Sequence, residues 1–290
     1  MKPTAFDYHA PASPEEAVSL LGSLGDGAKI IAGGQSLTPM LALRLAVFEH
    51  LVDIRRIESL RGVSRSNGTV RVGAGTTEAA VGRSDVVAAD VPLLARATPF
   101  IGHLAIRNRG TIGGCVAHAD AAAEYPAVAL ALDATIETLS PRGTRSIPAA
   151  EFFTGIWSTA LEPDELITAL EFGVWSGRTG FAVEEFAVRS GDFAIAGATV
   201  AVELSSSGSV DRCAIGLFGL GPTAVRATAA EESAAGTAVP DLNPDEIGQA
   251  ALAGQDVPSD SHGSAAYRTR VGAAMVATAW RRAVKEASGE

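Results

Sequence analysis

Apolar positions in the first third of the chain follow a helical rhythm and then a strand rhythm. Ser13-Pro14-Glu15-Glu16 supplies an N-cap, a first-turn proline and acids near the positive helix end. Ala17, Val18, Leu20, Leu21 and Leu24 then build one apolar face, which Gly25 stops. Residues 29–32 read as a short buried strand broken by Gly33-Gly34, and 37–47 as a helix with Pro39 in its first turn. Residues 50–54 and 69–72 are strand candidates, Thr76-Thr77-Glu78 suggests a capped helix, and 92–97 is helical. Residues 101–114, dense in Gly and Arg and without a period, read as an ordered loop; 125–131 and 134–139 resume regular structure. Beyond Glu171 the pattern changes. Residues 184–188, 198–204 and 213–219 are strand-like, with a turn at 205–209, as in an antiparallel meander. Residues 249–261 are polar and punctuated, and 265–285 form a long helix, so a boundary falls near 175–180.

Composition narrows the function classes. The 290 residues are 47% hydrophobic and 19% charged, enough to bury a core, and carry a net charge of −10 that disfavours a nucleic-acid role. The start, MKPTAFDYHAP, has no apolar signal core, and no apolar run is long enough to span a bilayer; a soluble cytoplasmic protein is expected. Two cysteines, Cys115 and Cys213, cannot alone ligate an iron–sulfur cluster or a structural zinc.

Two segments carry candidate chemistry. In Ile30-Ile31-Ala32-Gly33-Gly34-Gln35-Ser36-Leu37 a strand ends in two glycines and runs into a helix, which leaves backbone N–H groups open to an anion such as a diphosphate. Read alone, it is more readily an ordinary tight strand–helix turn. The second, Arg107-Asn108-Arg109-Gly110-Thr111-Ile112-Gly113-Gly114-Cys115, adds a second glycine pair, a Thr hydroxyl and two arginines, or is simply a loop rich in glycine for packing. If the segments converge, they can wrap one diphosphate. Gly73-Ala74-Gly75-Thr76-Thr77-Glu78 puts Glu78 where a dinucleotide fingerprint needs its third glycine, and no P-loop motif occurs. His118, Asp120 and Glu124 are too few for a convincing metal set, and loop-structuring or hydroxyl recognition is preferred for them. For His103, packing is preferred over acid–base work, and Cys115 reads as a small residue before a redox thiol.

Both segments, in this order, are similar to those of a known family. Ala32-Gly33-Gly34-Gln35-Ser36-Leu37 and Ile106-Arg107-Asn108-Arg109-Gly110-Thr111-Ile112-Gly113-Gly114 resemble the FAD-binding medium subunit of molybdenum hydroxylases, the group of carbon monoxide, nicotine and xanthine dehydrogenases. His118-Ala119-Asp120, Phe152-Phe153-Thr154-Gly155, Leu161-Glu162-Pro163-Asp164-Glu165-Leu166-Ile167, Arg189-Ser190-Gly191-Asp192-Phe193-Ala194 and Gly263-Ser264-Ala265-Ala266-Tyr267-Arg268 extend the likeness over nearly the whole chain. The resemblance implies an α+β chain: a two-lobed FAD-binding domain of vanillyl-alcohol-oxidase (PCMH) type over 1–176, with lobes of about 1–56 and 57–176. A smaller α/β domain of the carbon monoxide dehydrogenase flavoprotein type, antiparallel sheet plus helices, follows over 177–290.

It further implies a non-covalent FAD whose diphosphate is held by the two glycine segments, with an acid at Glu124 on the ribityl chain and the backbone at Ile167 near the flavin. The implied cofactor-binding set is Ile31, Ala32, Gly33, Gly34, Gln35, Ser36, Leu37, Ile101, Thr111, Ile112, Gly113, Gly114, Cys115, His118, Asp120, Glu124, Ile167 and Phe193, with no catalytic side chain and no metal. By the same resemblance, a molybdopterin large subunit and a [2Fe–2S] small subunit are the partners, in a hetero-oligomer such as a dimer of heterotrimers, and the flavin passes electrons to an external acceptor. The chain departs from many relatives at Cys115 (Asn, Asp or Ser), Ala121 (Pro) and Phe193 (Tyr), and lacks a lysine that some carry around Glu184–Ala187. Two alternatives stand beside this reading: an interaction or scaffold subunit with a degraded flavin site, and a stand-alone flavin oxidase, for which no base or substrate pocket is recognisable.

Overall fold

The computed structural model describes residues 2–290. Three sheets organise them. The first is parallel, in the order β1-β3-β2, from β1 (Asp7–His9), β2 (Ala28–Ile31) and β3 (His50–Asp53), with α1 (Pro14–Leu24) and α2 (Leu37–Leu43) as connections. Ser13 caps α1 by accepting from the Glu16 N–H at 3.1 Å, and Ala17, Val18 and Leu21 bury part of the apolar face that the helical spacing predicts. The predicted helix over 37–47 stops at Leu43. Arg44 turns left-handed at φ 58°, and the N–H groups of Leu45 and Ala46 fold back onto Met40 O, leaving Leu45 and Val47 exposed.

The second sheet is antiparallel, in the order β4-β5-β10-β6-β7. Its strands β4 (Val63–Ser66) and β5 (Thr69–Gly73) lead into five short helices, α3 (Glu78–Gly82), α4 (Asp85–Asp90), α5 (Pro92–Ala97), α6 (Leu104–Arg107) and α7 (Ile112–His118). Helix α8 (Glu124–Ala131) precedes β6 (Thr135–Ser140), β7 (Gly143–Pro148), α9 (Ala149–Phe152), the small hairpin β8 (Phe153–Gly155) and β9 (Ser158–Thr159), and β10 (Leu166–Gly173). Two expectations are corrected here. Residues 101–114 contain a helix, α6, and Gly113, Gly114 and Cys115 lie inside the first turn of α7 rather than in a loop. Two glycines rarely open a helix on propensity. Here Thr111 compensates by accepting from the Gly114 N–H at 3.1 Å.

The third sheet, β11 (Arg178–Phe186), β12 (Ala196–Leu204), β13 (Val210–Phe218) and β14 (Val225–Arg226), is the predicted antiparallel meander. Its first strand begins and ends earlier than 184–188, because pairing with β12 runs from Arg178–Leu204 to Phe186–Ala196 and leaves Val188 exposed. Helices α10 (Thr228–Ala234), α11 (Pro244–Leu252) and α12 (Ala265–Ser288) cover one face; α11 takes in part of the stretch read as punctuated. The other face lies on α8, whose eight residues are all buried. A sheet covered on both sides explains the unbroken burial of residues 196–202 in β12, where an antiparallel sheet with one wet face would alternate. The contact is close: a Cβ on Gly216 of β13 would stand 2.4 Å from Ala127 O of α8. The architecture is thus α+β, two sheet-centred lobes followed by a smaller sheet-and-helix unit.

Candidate functional site

The two glycine segments meet. A Cβ on Gly33 would lie 2.2 Å from Arg109 O and 2.6 Å from the Gly110 Cα, so only glycine permits the approach. Gly114 faces the other side of the same junction, where its Cβ would touch the Ala32 Cβ at 3.5 Å. Gly34 sits at φ 73°, and the Gln35 side-chain amide donates to Gly33 O at 2.9 Å, fixing the turn before α2. The N–H groups of Gly33, Gly34, Gln35 and Ser36 find no acceptor among the described residues. Four successive donors without partners are an anion-binding concavity.

The second segment is braced from behind by the stretch that resembled a degenerate dinucleotide fingerprint. Ile112 N–H donates to Thr76 O at 3.1 Å, Gly113 N–H to Ala74 O at 2.9 Å and Glu78 N–H to Gly110 O at 2.9 Å. Ala74 is the point of contact, since a Cβ on Gly113 would stand 2.4 Å from the Ala74 Cβ, whereas Gly73 packs the other way, its Cβ position 2.4 Å from Leu60 O. Between the segments a cleft of about 170 Å³ opens, bordered by Ala32, Arg55, Arg61, Thr77, Arg109 and Thr111. Arg55 and Arg61 were not singled out in the sequence, because nothing local links them to glycines 21 to 59 residues away. Arg55 is oriented by buried Asp53, which also accepts from the Tyr8 hydroxyl. Burial opposes the Asp53 charge, but the Arg55 and Tyr8 hydrogen bonds outweigh it and hold the carboxyl below its usual value.

The remaining site residues surround this junction unevenly. Ile31 pairs with Asp53 at the end of β2, and Leu37 opens α2. Ile101 and Ile112 are core residues, and the Ile112 N–H is already taken by Thr76 O. Ile167 lies at a bulge of β10, beside Thr168 O, which accepts from Ala74 N–H at 2.9 Å. Asp120 accepts from the Trp157 indole at 3.3 Å, and His118 stacks on that indole at 6.4 Å between centroids, with its Nε2 4.0 Å from Asp120. Trp157, 62% exposed and left-handed at φ 50°, escaped sequence reading because only the fold brings its hairpin to His118. Burial lowers the His118 pKa despite Asp120. Burial, then Glu78, Glu124 and Asp120, push the Cys115 thiol well up, so it is a neutral thiol. Phe193, 68% exposed, follows a turn in which Gly191 rests on the His103 ring, giving His103 a packing role. Among the described residues no group of three His, Cys, Asp or Glu side chains is arranged to hold a metal.

A two-lobed α+β fold with converging glycine segments and free backbone donors defines a protein class built to hold a diphosphate-bearing ligand. Residues 4–175 match the family model described as the FAD binding domain in molybdopterin dehydrogenase, and 181–283 the CO dehydrogenase flavoprotein C-terminal domain. The chain is 41% identical over 276 residues to the 6-hydroxypseudooxynicotine dehydrogenase complex subunit alpha of Paenarthrobacter nicotinovorans, covering 95% of this chain and 93% of that protein. It is 40% identical to the carbon monoxide dehydrogenase medium chain of Hydrogenophaga pseudoflava, covering 95% and 96%. The solved carbon monoxide dehydrogenase of Hydrogenophaga pseudoflava lacking the Mo-pyranopterin moiety superposes with a TM-score of 0.96 at 41% identity over 99% of both chains. The chain therefore belongs to the FAD-binding medium-subunit family of the molybdenum hydroxylases, and it is an oxidoreductase subunit.

Proposed function

We propose that the chain is the electron-transfer flavoprotein of a multi-subunit molybdenum hydroxylase, receiving electrons from a [2Fe–2S] partner and delivering them to an external acceptor. The observation that carries this is the run of four unpartnered N–H groups at Gly33–Ser36, set against the Thr111–Gly114 turn and beside arginines. These donors fit the diphosphate of FAD, bound non-covalently, with Arg55, Arg61 and Arg109 adding positive charge to a chain that is acidic overall. When bound, FAD supplies the exchange between one-electron and two-electron steps.

The protein's own work is to bind, orient and shield. Buried Glu124 and the Ile167 bulge are suited to the ribityl chain and the ring, and Phe193, His118 and Asp120 to the rim. The division into 1–176, with lobes of about 1–56 and 57–176, and 177–290 is part of this reading, supported by the extents of the two family models. Cys115 and Cys213 cannot hold an iron–sulfur cluster between them. The [2Fe–2S] centres and the molybdopterin therefore sit on small and large partner subunits, in a cytoplasmic hetero-oligomer such as a dimer of heterotrimers. No helix of the described residues is long and apolar enough to cross a membrane.

The test is a visible spectrum of the purified chain and chromatography of the flavin released on denaturation, then rapid mixing of the oxidised chain with a reduced [2Fe–2S] partner. One FAD per chain that bleaches on mixing supports the proposal. A protein that stays colourless after incubation with FAD overturns it and leaves an interaction subunit.

A further inference from the structure

Arg268, in the first turn of α12, is a charged side chain only 4% exposed. Its Nη1 donates to two backbone carbonyls, Ile195 O at 2.5 Å and Gly219 O at 3.1 Å. Its Nη2 donates to Asp260 Oδ2 at 2.6 Å. Asp260 is itself fixed, because its Oδ1 accepts from the His262 and Gly263 N–H groups. The two carbonyls belong to segments that lead to Phe193 and Asp120. Ile195 closes the loop that carries Gly191 and Phe193, its N–H donating to Phe186 O at 2.8 Å. Gly219 follows β13 at φ 72°, where a Cβ would stand 2.9 Å from Ala194 O, and its N–H donates to Ala121 O at 2.7 Å. Ala121 lies in a turn tied by the Ala122 and Ala123 N–H groups to the Asp120 carboxylate and carbonyl. One guanidinium thus joins the Phe193 loop, the end of β13 and, through one further hydrogen bond, the Asp120 turn.

Stability alone does not ask for a charge here. A buried ion pair recovers little more than its desolvation costs, and an apolar side chain would fill the same space. What the planar guanidinium fork adds is several directed donors held at fixed angles. Resting on the flavin reading above, we infer that Arg268 is a positioning residue: it sets where Phe193 and Asp120 stand relative to each other, and so the opening that receives the flavin end of the dinucleotide. It acts through Ile195 O and Gly219 O rather than by touching the ligand.

The experiment uses the full chain as wild type, Arg268→Met, Arg268→Lys and Gly180→Ala. Gly180→Ala is the stability control: its Cβ would meet Ala283 O at 1.9 Å, near the far end of α12. That contact is about 22 Å along the helix from Arg268. Denaturant unfolding measures the stability of each variant. Without flavin, amide hydrogen exchange is followed over 119–123 and 187–195; with flavin, the FAD dissociation constant and the visible circular dichroism of the bound flavin are measured. In Arg268→Met exchange quickens in both segments, the dissociation constant rises about tenfold, equivalent to one hydrogen bond at the rim, and the dichroism band changes. Arg268→Lys, which keeps a donor, returns the constant to within about threefold of wild type. Gly180→Ala loses stability but keeps the wild-type constant and band. Should Arg268→Met not fold, Asp260→Asn loosens the same guanidinium from its exposed end, and a rise of about threefold is expected. Variants of the joint that bind FAD as tightly as wild type with an unchanged band overturn the inference. So does a Gly180→Ala chain that raises the constant as far at equal loss of stability. A wild type that binds no FAD refutes the flavin reading, and the positioning role with it, even where exchange quickens as expected.

Discussion

Gly33→Ala tests the convergence of the two glycine segments directly. The new methyl would sit 2.2 Å from Arg109 O and 2.6 Å from the Gly110 Cα, both backbone atoms, against an ordinary contact of 3.4 Å or more, so the segments must part by about 1 Å. Arg109–Thr111 cannot simply yield, because the Gly110 carbonyl is held by Glu78 N–H, and the following Ile112 and Gly113 N–H groups by Thr76 O and Ala74 O. Overpacking of this kind costs about 1–3 kcal/mol of stability. Displacing the Gly33–Ser36 donors loses about two charge-assisted hydrogen bonds, about 3 kcal/mol together, which converts to an FAD dissociation constant raised about a hundredfold. Flavin fluorescence titration and thermal melting of the same sample read the two effects separately. Gly173→Ala is the matched control, since a Cβ there meets nothing within 4 Å. If Gly33→Ala is folded and binds FAD as tightly as wild type, the backbone contact does not set the cradle and the argument from convergence fails.

Other outcomes follow from single contacts. Gly180→Ala places a Cβ 1.9 Å from Ala283 O, lifting α12 off β11, and should cost about 2–3 kcal/mol in denaturant unfolding with the third sheet affected first. Burial raises Glu78 to about 7 although Arg107 pulls the other way. The folded state therefore holds that proton more tightly than the unfolded chain, and stability is lost as pH rises from about 4.5 to about 7. Glu78→Gln should exceed wild type in stability at pH 8 and match it near pH 4, by denaturant titration at both values. Glu165 behaves oppositely. Burial opposes its charge, but Arg145, Thr138 and the Glu162 N–H hold it below the usual value of 4.5, so its contribution is present above that pH and fades as pH falls. Glu165→Gln should lose about 2 kcal/mol at neutral pH, less at pH 3, and a variant as stable as wild type at pH 7 would contradict the pairing.

The parts of the fold legible in sequence are those written locally. Ser13 and its acids announce α1, the Ser205–Ser209 turn announces the β12–β13 hairpin, and the apolar spacing over 265–285 announces the long α12. The paired glycines and Thr111 point to backbone donors, and the structure brings those segments together. What was missed depends on contacts distant in sequence. The extent of α7 rests on a Thr111 cap and a brace from Ala74 and Thr76 that outweigh two glycines, and the end of α2 on Arg44 adopting a left-handed turn. Arg55 and Arg61 reach the cleft only because the first two lobes close on each other. No periodicity encodes such meetings. They are set by tertiary packing.

The burial of α8 on every side also has a meaning for synthesis. As the chain leaves the ribosome, Glu124–Ala131 is complete long before β12 and β13 exist, and their final residue, Phe218, lies 87 positions beyond Ala131. At about 5–20 residues per second, that is an interval on the order of 5–20 s in which an apolar helix has lost water on one flank only. During it the nascent flavin lobe is unfinished and sticky, a client for holding chaperones. Closure of the last sheet onto α8 is then the event that turns two half-built units into one molecule.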